Sequence, residues 1–252
     1  EIRPRDWSSD VCSSDLAKKG MYRVTWNGRH ELTSAVSFYE PNPDNPYEGE
    51  DIGPLAIPGT YKVKLVKIQN GKSENLTDNI SFNLTTLNNT TFAIKDKKEA
   101  DALNQSVAEF RRVVQACDSY KGTLQEKIKY IKKAIMQKGE AMKWLNEVQQ
   151  IEMQLIVLDE QFNGDRSMAK REFETLPGLN GMVDGIVYGM WSTLQPATTT
   201  WKETYDRANE VFRPMYNSLK NLESRVKELE KNLETVKAPY TPGRELPAWN
   251  IK

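Results

Sequence analysis

Residues 103–135 read LNQSVAEFRRVVQACDSYKGTLQEKIKYIKKAI. Leu103, Val107, Phe110, Val114, Cys117, Lys121, Leu124, Ile128, Ile131 and Ile135 return at steps of four and three, and Lys121 is the one polar member. That spacing is the seam of a helix packed against other helices. Its length predicts one helix of roughly 40 residues, about 60 Å long at 1.5 Å per residue.

Two further series come after it. Leu145, Val148, Ile151, Leu155, Leu158 and Phe162 make a second helical stripe, closed by the C-cap signal Asn163-Gly164. Tyr205, Ala208, Phe212, Met215, Leu219, Leu222, Val226, Leu229, Leu233 and Val236 make a third. Thr199 or Thr200 is the expected cap of that third helix. Pro214 lies inside it and is expected to kink or restart it near Asn209–Glu210. Between the second and third series stands LPGLNGMVDGIVYGMW, residues 176–191. Its Gly181, Gly185 and Gly189 fall on one helical face. They suit either close backbone approach to a neighbour or a loose, partly helical segment, since each glycine costs about 1 kcal/mol in a helix. Asp184 interrupts the apolar run, so a membrane helix pair is excluded.

Upstream the period changes to two. Tyr22, Val24 and Trp26 alternate with polar residues; so do Tyr61, Val63 and Leu65; so do Ile80, Phe82 and Leu84. Asn70-Gly71 is a type I′ hairpin signal. The fold class expected is α+β and multidomain: a small antiparallel Ig-like β-sandwich over 17–94, then an antiparallel bundle of three or four long helices over 95–238. The tail 239–252, with three prolines, is expected to run extended over the surface.

The first sixteen residues fit neither part. DWSSDVCSSDL, residues 6–16, is the in-frame translation of a common sequencing adapter, and residues 1–16 are set aside as an artefact expected to be disordered. We expect the authentic polypeptide to begin near Ala17 as a piece of a longer chain. Basic and acidic residues number 35 each. That balance argues against a nucleic-acid partner, which calls for clustered excess Lys and Arg. Cys117 is the one cysteine outside the adapter-like segment, so no disulfide framework is expected. No stretch reads as a membrane span.

GMYRVTWNGRH (20–30), GPLAIPGTYKVKLV (53–66), the long helical region and YTPGRELPAW (240–249) together resemble the C-terminal part of large proteins with sortilin-like (Asp-box, BNR-repeat, WD40/YVTN-type) β-propellers, often labelled glycosyl hydrolase-like. The β part also resembles the Ig-like fold of flagellar hook-assembly proteins, departing from it at Asn27, where Asp is usual, and in a longer 41–53 loop. The resemblance implies a bacterial, secreted or envelope-facing protein whose propellers lie upstream. No Asp-box occurs in residues 17–252.

Each chemistry-bearing residue has a plain structural role open to it. Trp26 and Tyr61 are expected in the β core, with Arg29 stacking or pairing at the strand end. His30 has no nucleophile or orienting group in its pattern. Cys117 sits in the seam as a small hydrophobe. Asp44, Glu48, Glu50 and Asp51 make a candidate Ca²⁺ loop, but their spacing matches no EF-hand, and a solvated acidic loop is expected. Glu152, Asp159 and Glu160 suit a solvated helix face better than a glycosidase pair. Sequons begin at Asn75, Asn79, Asn83, Asn88 and Asn89; in a bacterial protein they are ordinary strand positions. Trp144, Trp191, Trp201, Tyr188 and Tyr216 are expected in core packing. No catalytic residue and no cofactor is assigned. The expected structural positions are Trp26, Tyr61, Leu124, Gly181, Gly185, Gly189 and Pro214.

The expected function is therefore a non-catalytic accessory region. It would partner the propeller domains of its own chain, and its bundle would be open to a protein partner. Two alternatives stand: support for a glycoside hydrolase-like active site upstream, and a self-associating coiled-coil adaptor.

Overall fold

The structure is a computed structural model that describes residues 25–36, 38–42, 44–45, 51–87, 97–247 and 249. The adapter-like segment, Tyr22, Val24, Glu48, Glu50, Asn88 and Asn89 lie outside the described residues. The fold is α+β: a small antiparallel strand region, then a helical region. Contacts divide the chain into two compact units, one of residues 1–33, 37–108 and 188–197, the other of 34–36, 109–187 and 198–252.

In the first unit, strands β1 (Gly59–Val63), β2 (Val66–Gln69), β3 (Lys72–Asn75) and β4 (Ile80–Leu84) form two two-stranded antiparallel sheets, β1 with β4 and β2 with β3. They are successive halves of one bent hairpin. Val63 pairs with Ile80 and Val66 with Asn75, so residues 64–65 face residues 76–79 across a bulge. Asn70 (φ 52°) and Gly71 (φ 74°) make the turn, as a type I′ hairpin requires. The inward row expected for Tyr61, Val63 and Leu65 holds only at Tyr61; the bulge interrupts the row after Val63. Tyr61 stays half-buried, while Val63 and Leu65 are exposed, as is Ile68 at 77%. The described strands form this ribbon.

The second unit holds most of the bundle. Helix α1 (Lys97–Gln137, 41 residues) begins within the first unit's residues. A 3₁₀ segment (Gly139–Trp144) leads into α2 (Leu145–Asn163). Then come the one-turn α3 (Arg166–Ala169), α4 (Leu179–Met190) and α5 (Thr199–Thr235). Among the described residues, the seam positions Val107, Leu124, Ile128, Ile131 and Ile135 of α1 are each 1% exposed or less. The same holds for Val148, Ile151 and Phe162 of α2, and for Leu222, Val226 and Leu233 of α5.

Side-chain pairs give the helix directions. Lys121 meets Asp159 and Lys132 meets Glu152, so α2 runs against α1. Lys127 meets Glu230, 103 residues on, and Tyr120 with Glu223 holds the same offset, so α5 runs along α1 in constant register. Asn180 meets Asp118 and Asp184 meets Arg111, so α4 continues the descent that α2 began. The bundle is thus three rods: α1, the broken rod α2–α4, and α5.

The ends follow capping chemistry. Gly164 (φ 76°) closes α2, its N–H donating to Glu160 O. The cap of α5 is Thr198 rather than Thr199 or Thr200; its side chain accepts from the Trp201 N–H. Helix α5 continues through Pro214 without restarting. Residues 238–247 do not run extended over the surface. They fold back through a Thr241–Arg244 turn, closed by Arg244 N–H to Thr241 O at 3.2 Å. Pro242 and Gly243 (φ 80°) sit where a type II turn wants them. Thr241 and Arg244 are buried there, at 3% and 7% exposure. Among the described residues, no helix is long and apolar enough to cross a membrane.

Candidate functional site

The break in the α2–α4 rod is the most elaborated feature of the bundle. Residues 164–178 leave the rod and return to it. A Cβ on Gly178 would collide with the Gly164 amide nitrogen and stand 2.6 Å from Phe162 O, so only glycine fits. Gly178 O then accepts from Met182 N–H and helix resumes. Asp165 caps the first turn of the excursion, accepting from the Ser167 and Met168 N–H groups. Every residue from 166 to 177 is exposed.

A polar cluster sits at the base of this excursion. Lys121, buried in the seam, donates to Asp118 at 2.6 Å and to Asp159 at 2.5 Å, and its ammonium lies 5.1 Å from the Phe162 ring centre. Asn163 donates to Asp159, and Asn180 donates to both Asp118 and Asn163. Three helices are thereby tied by one ammonium, two carboxylates and two amides. Burial acts to raise the Asp159 pKa, but the hydrogen bond and charge of Lys121, with Arg166 and Asn163, outweigh it and hold the carboxyl below its ordinary value. Such a network fixes helix register.

Cys117 lines a shallow hollow of about 170 Å³ between α1 and α5, with Tyr120, Tyr216, Leu219, Lys220 and Glu223. Burial raises the thiol's pKa, the opposite of what a nucleophilic cysteine needs. Leu124, two turns along, is 1% exposed.

In the first unit the Trp26 ring lies 5.2 Å from Tyr61 and 5.9 Å from Phe82, an edge-and-tilt cluster of the favourable kind. Trp26 Nε1–H donates to Arg29 O, and Tyr61 O–H donates to Ile57 O. Arg29 Nη1 donates to Gly53 O and Trp191 O, both at 2.9 Å. His30 Nε2 lies 3.8 Å from Asp101 Oδ1.

The other sequence candidates disperse. Asp44 and Asp51 are exposed, and among the described residues no three His, Cys, Asp or Glu side chains gather as a metal site requires. Glu152 and Asp159 are ion-pair partners of Lys132 and Lys121 rather than a free acid face, and Glu160 is exposed. Asn75, Asn79 and Asn83 stand exposed on the hairpin. Trp191 is buried, Trp144 and Trp201 are half-buried, Tyr216 is 41% exposed and Tyr188 is 87% exposed. Helix α4 packs through Leu179, Val183, Ile186 and Met190. Gly181 and Gly185 lie on its exposed side; a Cβ on Gly185 would meet nothing within 4 Å, and one on Gly181 only the Pro177 Cβ at 3.2 Å. Gly189 is half-buried.

Sequence reasoning missed the partners of Lys121 and the docking of the tail. A lysine on an unbroken seam was the signal for the first, because it obliges an acid on a facing helix. Pro-Gly flanked by Thr and Arg was the signal for the second. Compared with family models, curated proteins and solved structures, the chain matches none of them.

Proposed function

We propose that this chain is a non-catalytic, C-terminal accessory region of a larger extracytoplasmic β-propeller protein, built to hold structure and to bind protein. One observation carries the non-catalytic part. The acids and bases nearest the core are spent on each other: Lys121 with Asp118 on its own helix and, across helices, Lys121 with Asp159, Lys132 with Glu152, Lys127 with Glu230, and Arg225 with Glu147. The propeller parent, the bacterial envelope setting and the Ig-like character of the β ribbon rest on the resemblance of residues 20–30, 53–66 and 240–249. In that reading the Trp26–Tyr61–Phe82 cluster is the inner face of an Ig-like sandwich.

The test is direct. Residues 17–252 alone are expected to melt cooperatively and to leave glycosides, peptides and phosphoesters intact; sustained hydrolysis by that polypeptide overturns the reading. Recovery of the uninterrupted reading frame is expected to place Asp-box repeats upstream of Ala17. Catalytic carboxylates there, with glycosidase activity in the full-length protein only, favour the alternative of a support for a hydrolase.

A second reading, the self-associating adaptor, is favoured by the outer face of α2. Met153, Ile156 and Val157 lie there at 62%, 58% and 51% exposure. A monomer mass by light scattering at high concentration removes it.

A further inference from the structure

We infer that the 164–178 excursion is a processing site for an endopeptidase with an acidic specificity pocket, cut after Lys170 or Arg171, and that the cut chain stays assembled. Exposed loop tips are where nicking concentrates, because a protease must draw the chain out of its own hydrogen bonds. Here those bonds are few and local. The amides of Ala169 to Phe173 donate only to carbonyls of residues 165–169. Glu172 holds a left-handed φ of 63°, a conformation its side chain disfavours and that opening relieves. Lys170 and Arg171 are both exposed, whereas Lys121, Lys127 and Lys132 are held in interhelical ion pairs.

The base of the loop decides the fate of the cut chain. Water adds across the peptide bond, leaving a carboxylate on one piece and an ammonium on the other, with no cofactor consumed. One piece keeps α1 and α2; the other keeps α4 and α5. The cut lies outside the clamp made by Gly164 against Gly178 and by Asn180 with Asn163 and Asp118. The apolar stripes of both pieces remain buried against each other, so hydrolysis removes no core contact.

The experiment is limited trypsin digestion of the full 252-residue chain under native conditions, with intact mass and size exclusion as readouts. Within residues 97–247 the first cut is expected after Lys170 or Arg171, with the two pieces co-eluting and helical circular dichroism retained. The variant K170Q/R171Q, confined to exposed side chains, is expected to slow that first cut by ~10-fold, since the pocket reads the basic side chain. A first cut elsewhere in 97–247, pieces that separate on the column, or a variant cut in the same loop at the original rate each overturn the inference.

Discussion

Lys121 Nζ lies 2.5 Å from Asp159 Oδ1, although Lys121 occupies a seam position otherwise reserved for apolar side chains. Its side chain is 4% exposed, while those of Asp118 and Asp159 are 28% and 34% exposed. The asymmetry predicts which substitutions matter. Lys121→Met removes the buried charge and leaves two carboxylates that water already reaches. It is expected to hold stability within about 1 kcal/mol of the parent. Removing both acids strands the ammonium, and Asp118→Ala with Asp159→Ala is expected to cost about 3 kcal/mol. Urea midpoints decide; equal losses in the two variants would contradict the assignment.

The same pair sets an acid limb. The folded pKa of Asp159 is depressed, so its contribution to stability is complete above the unfolded value near pH 4 and is lost as pH falls through the lower folded value. Stability measured from pH 7 down to pH 2 is expected to fall less steeply at the acid end in Asp159→Asn than in the parent. Parallel curves would show that Asp159 titrates alike in both states.

Leu124→Asp tests the seam itself. Leu124 is 1% exposed, and Ile128, Leu155 and Leu222 of the same core are enclosed to within a percent of it. The change loses apolar burial and places a carboxyl among enclosed apolar side chains, so a cost of at least about 3 kcal/mol is expected in denaturant unfolding. A loss under about 1 kcal/mol means the helix face is hydrated.

How much of this was legible depends on the range of each signal. The α1, α2 and α5 stripes repeat over many turns, and a period that long has one cheap solution, burial against other helices. Gly164 was readable as a cap because the left-handed turn is local. Its contact with Gly178 was not, since nothing in the sequence says that a rod broken at Asn163 resumes at Leu179. The hairpin turn was fixed by Asn70-Gly71, but the bulge opposite Lys64–Leu65 depends on pairing across the ribbon. Strict alternation therefore placed Leu65 inward across the bulge when it is exposed; Val63, at the end of the regular ladder beside Ile80, is exposed as well. The glycine spacing of α4 pointed to the face opposite the one that packs, because Leu179, Val183 and Ile186 form the stronger stripe.

Pro214 is exposed, inside a helix that runs on through it. Proline there leaves Glu210 O without its i+4 amide and presses its ring on that turn. Because Pro214 lies on an exposed face, Pro214→Ala is expected to raise stability by about 1–3 kcal/mol and to leave the helix boundaries unchanged. Thermal melts with circular dichroism check it; a lower melting temperature would mean that the folded helix depends on proline at this turn.

The tail supplies the last test. Arg244 Nη2 reaches Ala238 O and Glu234 Oε2, both at 3.3 Å, while Lys127 Nζ joins Glu230 Oε1 at 2.9 Å to Gly243 O at 3.1 Å. Tyr240 O–H donates back to Arg244 O. The turn therefore locks the C-terminal end of α5 to α1. Gly243→Ala meets two obstacles: a positive φ, and the Lys127 Cε at 2.9 Å from the new Cβ. It is expected to cost about 1 kcal/mol. Arg244→Ala leaves Glu234 unpaired and opens a buried volume, and is expected to cost about 2–3 kcal/mol. In amide exchange, protection at 229–235 is expected to fall in both variants while that at 145–163 persists. Unchanged protection at 229–235 in Arg244→Ala would mean that the tail rests on α5 without holding it.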